Sequence, residues 1–243
     1  MKSKRNLRSL AILLILPCLL APVVHGQDTY TIAFNSSNSI WRTANISVFA
    51  PNTPSSNYQL ILDAMTRWNL GALWFNATYH SLPYVFAPYK FILSQSRNAS
   101  LVISYSNNAS KFVSTEIHFD TKSDGITIVD AYFTFYYENM DAPGVTATLG
   151  VVLGLGRTTV PNDVMGPATT RNRAGLPSTL DFYALSVLWN SAAMPSSVTL
   201  PSNIPFRLVP MSAVPEFSNV AIVVFVLLLL SPLVLRRYRR IVS

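Results

Sequence analysis

Apolar residues in this chain recur with two periods, and the predicted elements follow from which one applies. Tyr30–Phe34 and Asn45–Phe49 alternate apolar and polar positions, which predicts strands. Pro51 and Pro54 mark a loop, with Ser56 as a helix cap. From Tyr58 the period lengthens: Leu60, Ile61, Ala64, Met65 and Trp68 recur at three- and four-residue spacing. That predicts an amphipathic helix ending near Asn69-Leu70-Gly71. Alternation then returns in Trp74–Tyr79, Tyr84–Leu93, Leu101–Tyr105, Glu116–Phe119 and Ile126–Tyr137, five predicted strands separated by Asn- and Ser-rich turns. The run Asp130–Tyr137 is aromatic on both faces, as a central strand would be.

The stretch Asp141–Pro167 breaks this alternation. Asp141 is placed to cap a helix whose first turn holds Pro143, where a missing N–H costs nothing. The helix is apolar throughout and should end at Gly154 and Gly156, followed by Arg157, a polar loop and the turn Met165-Gly166-Pro167. A further helix, Leu180–Trp189, is capped by Ser178 or Thr179. Prolines at 195, 201, 205, 210 and 215 then predict an extended stalk. The expected architecture is one α+β domain over residues 27–194 with a stalk over 195–217.

The two ends read differently. Lys2, Lys4, Arg5 and Arg8 precede an apolar run, Leu10–Leu20, and a cleavage-like Val24-His25-Gly26, the three parts of a secretory signal over residues 1–26. An uncleaved signal anchor is the alternative. Residues 218–235 contain the uncharged run Val220–Leu235, near the lower limit for a membrane span. The basic tail, residues 236–243, holds Arg236, Arg237, Arg239 and Arg240, which places the C-terminus inside and the body at the cell surface.

Composition supports that division. Of 18 Lys and Arg, four lie in the leader and four in the tail, leaving ten in the body against all 11 acids. The basic excess therefore belongs to targeting and gives no reason to expect nucleic acid. The single cysteine, Cys18, lies in the leader, so the mature body is expected to hold together without disulfides. Asn35, Asn45, Asn76, Asn98 and Asn108 each begin an Asn-x-Ser/Thr sequon, expected acceptors on a glycosylated outer surface.

Candidate chemistry centres on 147–167. Gly150, Gly154 and Gly156 close a helix instead of opening one, and no Gly-Lys-Ser/Thr follows, so this is no phosphate loop. Gly150 is expected to let a strand or helix approach closely. No Gly-x-Ser-x-Gly elbow or paired Asp-Thr/Ser-Gly loop points to a serine or aspartic hydrolase.

The run Ala147-Thr148-Leu149-Gly150-Val151-Val152-Leu153-Gly154-Leu155-Gly156-Arg157 resembles the zinc signature of the matrixin group of metzincin peptidases, H-E-x-G-H-x-x-G-x-G-H. Pro161–Pro167 resembles the segment with that family's Met-turn, at Met165, and Leu180–Trp189 its closing helix. The resemblance implies a metzincin-like mixed sheet with a central helix, Met-turn and closing helix. It places the three zinc-ligand histidines at Ala147, Val151 and Arg157, and the general-base glutamate at Thr148. Ala and Val have no lone pair to give, and a guanidinium cannot be deprotonated to supply one. Without a carboxylate at 148, nothing on this helix could take a proton from bound water.

The expectation is thus a matrixin-like pseudo-peptidase with no catalytic residue and no cofactor, binding an extended peptide or an envelope protein. Arg157 could fill the lost metal's space and pair with Asp163 or another nearby acid, or bind an anionic group. The alternative is an active zinc peptidase with ligands from elsewhere, such as His80, His118 and loop acids. Glu116–Asp120, with His118, faintly resembles a structural-metal strand of the family. Val214-Pro215-Glu216-Phe217 ahead of the apolar run resembles archaeal Pro-Glu-Phe sorting signals; an ordinary single-span anchor is the other reading.

Overall fold

The computed structural model describes residues 29–35, 39–51, 53–83, 85–106, 115–136, 141–192 and 195–210. The leader, the apolar run, the basic tail, the Pro-Glu-Phe motif and Asn108 lie outside them.

The described residues form a mixed α+β fold. Strand β1 (Thr31–Phe34), β2 (Ile40–Trp41) and β3 (Asn45–Phe49) lead into helix α1 (Ser55–Tyr79). Strands β4 (Lys90–Leu93), β5 (Leu101–Tyr105), β6 (Thr115–Thr121) and β7 (Thr127–Phe135) follow, then helix α2 (Ala142–Val152), strand β8 (Leu155–Thr158), helix α3 (Thr179–Asn190) and strand β9 (Ser197–Thr199). The larger sheet runs β2-β7-β5-β3-β4, with β6 also on β7. Its pairings are parallel except β6–β7, which is antiparallel. The aromatic strand β7 is central, as its two-sided apolar character predicts, and Ile128, Ala131, Phe133 and Phe135 point into the core. A smaller sheet, β8-β1-β9, is antiparallel throughout.

Four expectations need correction. Helix α1 does not stop near Gly71, and Trp74–Tyr79 is its last turns instead of a strand. Gly71 is there for packing: a Cβ would lie 2.4 Å from Cζ of Phe182. Beyond it Ala72, Phe75 and Tyr79 continue the buried stripe begun by Ile61, Ala64, Met65 and Trp68. The helix begins after Pro54 with no side-chain cap, so Ser56 lies inside its first turn. Of Tyr84–Leu93, only Lys90–Leu93 is strand; the preceding backbone is held from α1, where Asn76 exchanges two hydrogen bonds with Ala87 (2.8 and 2.9 Å) and Asn69 two with Phe91 (2.8 Å each).

The fourth correction concerns the proline-rich stretch. As far as residue 210 it belongs to the body. Strand β9 pairs with β1, Leu200, Ile204 and Val209 are buried, and Val209 donates its N–H to Pro177 O. Prolines suited a stalk, but they also suit a chain that folds back with few ladder bonds to make.

Helix α2 is held by two buried tryptophans. Trp68 Nε1 donates to Thr146 O at 2.9 Å and Trp41 Nε1 to Val152 O at 2.8 Å. The second bond satisfies a C-terminal carbonyl that has no partner within the helix. Asp141 caps the start through Gly144 N, and Gly154, at φ +102°, reverses the chain after the end.

Candidate functional site

The ligand-position residues lie along α2 and into β8. Ala147 is buried at 4 % exposure, Val151 is half-buried, and Arg157 on β8 is exposed. Thr148 is half-buried, and its hydroxyl donates to Gly144 O one turn back at 2.9 Å, a local bond that leaves its side chain on the helix. These residues do not fit zinc: two hydrocarbon side chains and a guanidinium offer no lone pair, where the matrixin resemblance calls for three.

Beneath the helix, Gly150 makes room for side chains, not for the backbone of a strand or helix. A Cβ there would lie 2.5 Å from Sδ of Met165 and 2.9 Å from Cζ2 of Trp68. The close backbone approach occurs at Gly156, where a Cβ would meet Phe34 O at 2.7 Å. Met165 is 2 % exposed, so the Met-Gly-Pro turn presents its thioether to the underside of α2.

A polar cluster pins this turn to α3, and composition gave no sign of it. Asp163 accepts from Met165 N at 2.7 Å and from Ser178 Oγ at 2.6 Å. Ser178 caps α3, with its N–H given to Asp181 Oδ2 at 2.8 Å and its oxygen accepting from Asp181 N. Asp163, Ser178 and Asp181 are all fully buried. Among the described residues Asp181 Oδ1 receives no donor, and the charge of the Asp163 carboxylate acts on it. Burial, and then the Asp163 charge, push the Asp181 carboxyl well above the usual range; burial raises Asp163 too. One proton held on Asp181 satisfies that oxygen and removes the repulsion. The only sequence signal was the Ser178–Asp181 spacing of a capping box.

This arrangement corrects the expected Arg157–Asp163 pair. Asp163 is committed to the cluster, while Arg157 makes no ion pair among the described residues. The cation nearer the turn is Arg171, which sequence reading gave no role: its Nε donates to Gly166 O at 2.8 Å. Burial lowers the Arg171 pKa; Asp141 opposes this and the charge of Arg157 adds to it. His80 ends α1, with Nδ1 2.9 Å from Ala77 O. His118 projects from β6 with Nε2 3.3 Å from Asp120 Oδ1, both side chains largely in solvent. Among the described residues no three of His, Cys, Asp and Glu come together as metal ligands.

Of the sequons, Asn45 and Asn98 are exposed. Asn35 and Asn76 are half-buried; Asn35 Nδ2 reaches Val151 O at 3.4 Å and the Asn76 amide is engaged with Ala87. Among the described residues no helix is long and apolar enough to cross a membrane.

The sequence matches no protein-family model and no curated protein. Among solved structures it is distantly similar to myroilysin, a metallopeptidase, at 10 % identity and a TM-score of 0.32. That match covers 52 % of this chain and 54 % of the other, so the chain spans about half of myroilysin's length.

Proposed function

We propose that this chain is a matrixin-like pseudo-peptidase, held at the cell surface by Val220–Leu235, whose body binds an extended peptide or an envelope protein. The observation that carries the loss of activity is the residue set of α2 and β8: Ala147, Thr148, Val151 and Arg157 offer neither a metal ligand set nor a general base. The scaffold reading is supported by the order of elements, with a mixed sheet, then α2 ending at Gly154, the Met165 turn packed under Gly150, and closing helix α3.

Peptide binding is favoured by the sheet edge. Strand β6 pairs with β7 alone among the described strands, which puts it at the margin of the sheet, the position used in strand addition. Zinc content and peptide cleavage by the purified protein test the loss of activity. The expected result is no stoichiometric zinc and no cleavage; one tightly held zinc per chain with chelator-sensitive cleavage establishes the active peptidase instead. Hydrogen exchange in the presence of a mixture of extended peptides tests the second half, with slowed exchange expected in Thr115–Thr121. Unchanged exchange there, with slowing elsewhere, moves the binding surface off this edge.

A further inference from the structure

The outward side of α1 is unusual for a solvent-facing helix. Leu73 is 63 % exposed, Ala77 is exposed, and Leu70 and Trp74 are half-buried. Along one flank runs the 85–91 backbone clamped by Asn69 and Asn76, and there Phe86 is 52 % exposed and Lys90 is exposed. Along the other flank Arg207 lies with its guanidinium carbon 4.5 Å from the centre of the Trp74 ring, and Nη2 donates to the Tyr79 hydroxyl at 3.3 Å. The face carries cations at its rim, Lys90 and Arg207, and α1 has no acid after Asp63. No Asp or Glu occurs between Asp63 and Glu116, or between Asp181 and Glu216, whereas Lys90, Arg97 and Arg207 do. Exposed Leu and Phe, a tryptophan at the boundary and cations at the rim suit a surface that is apolar a few ångströms deep and anionic above that.

The path of the chain says where such a surface is met. The last described residues pass α1 at Arg207 and stop at Pro210, and the apolar run begins ten residues on, at Val220. Ten extended residues reach no more than ~35 Å. A body tethered so closely has a high effective concentration at the bilayer, and weak contacts there suffice to fix its orientation.

We propose that the face formed by Leu73, Trp74, Phe86, Lys90 and Arg207 rests in the headgroup layer of an anionic lipid bilayer, turning the β6 edge to a set direction for its partner. This rests on the reading of Val220–Leu235 as a membrane span. It also requires Asn76, on the same flank of α1, to carry no glycan, in keeping with its amide being engaged by Ala87.

The test uses the full chain in vesicles of phosphatidylcholine with one-third phosphatidylglycerol. Spin labels are placed singly at Leu73→Cys, Phe86→Cys, Tyr132→Cys and Leu227→Cys in a Cys18→Ser background. Collision with oxygen is compared with collision with a water-soluble nickel chelate. Labels at 73 and 86 are expected to favour oxygen several-fold more than the label at 132, which lies on the exposed side of β7. Omitting phosphatidylglycerol should reduce that preference, a readout that needs no charge substitution and so no risk to folding. Labels at 73 and 86 as aqueous as the one at 132, with 227 in the bilayer, overturn the proposal and leave the anchor standing. An aqueous label at 227 overturns the anchor and the proposal with it. Spin–spin broadening at 73 that disappears on dilution with unlabelled chain, without oxygen preference, assigns the face to a second copy and also overturns it.

Discussion

The Asp163–Asp181 pair makes stability depend on pH with a sign opposite to that of a salt-bridged carboxylate. The perturbation is Asp181→Asn. In the native protein the pair keeps a proton that the unfolded chain gives up above about pH 3.9. The unfolded state therefore binds fewer protons, and stability falls as pH rises, by up to ~1.4 kcal/mol per pH unit for one proton retained. The stabilisation is complete below the unfolded carboxyl midpoint and is lost as pH rises through the raised native one. Both carboxyls are fully buried, so solvent does little to screen the effect. In Asp181→Asn the amide supplies Asp163 with a permanent donor while its carbonyl still accepts from Ser178 N. No proton need be kept for that contact, and the variant should gain on the wild type steadily from pH 4 upward, at up to ~1.4 kcal/mol per pH unit, until the native pair gives up its proton. Asp124 works in the other direction: backbone N–H groups of Thr127 and Ile126 lower its pKa to about 2, so its contribution is lost as pH falls from about 4 towards 2. It is shared by both proteins and cancels in the difference. The assay is urea denaturation of both from pH 3 to 8. If the wild type is the more stable at neutral pH and the two profiles run parallel, the shared proton is refuted.

Other substitutions and sites give separate checks. Gly150→Ala should cost about 1–3 kcal/mol, because its Cβ would enter the space of Met165 and Trp68; combined with Met165→Ala the loss should be less than the sum, and an additive result in thermal unfolding would show that the two do not touch. Grafting Ala147→His, Thr148→Glu, Val151→His and Arg157→His together should raise zinc content from none to one per chain; a folded graft that stays free of zinc would remove the ground for a matrixin-like reading of α2. Glycan mapping of the folded protein should find sugar at Asn45 or Asn98 and none at Asn76, and occupancy at Asn76 would mean that its bonds to Ala87 do not form.

Local periodicity made much of the fold legible. Asn45–Phe49 and Leu101–Tyr105 are strands with the bounds that alternation suggests, α2 and α3 start at their caps, and α2 gives way just before Gly154. The misreadings share a cause: tertiary packing decided what a local rule could not. Gly71 looked like a helix end because glycine often is one, yet it makes room for Phe182, more than a hundred residues on. Trp74–Tyr79 alternates well enough for a strand, but Phe75 and Tyr79 also continue the helical stripe, and the longer pattern prevailed. The prolines after 195 suggested a stalk, because nothing local announces that Thr31–Ala33 has an edge available for Ser197–Thr199. At the site, the side chains that α2 and β8 carry, Ala147, Thr148, Val151 and Arg157, are plain from the letters. The Asp163–Asp181 cluster is not, because two acids eighteen positions apart look like surface charge until the turn and helix cap are brought together.

The way residues 197–210 fold back decides how a force applied at Pro210 enters the body. A pull delivered through Pro210 meets first the bond from Val209 to Pro177 and the two between Arg207 and Thr179, and only then the short ladder of β9 on β1. Those early bonds attach to the start of α3, where Ser178 also grips the Met165 turn through Asp163. Load applied at Pro210 is thus carried directly to the segment under α2, and β9 must peel from β1 before the larger sheet is stressed.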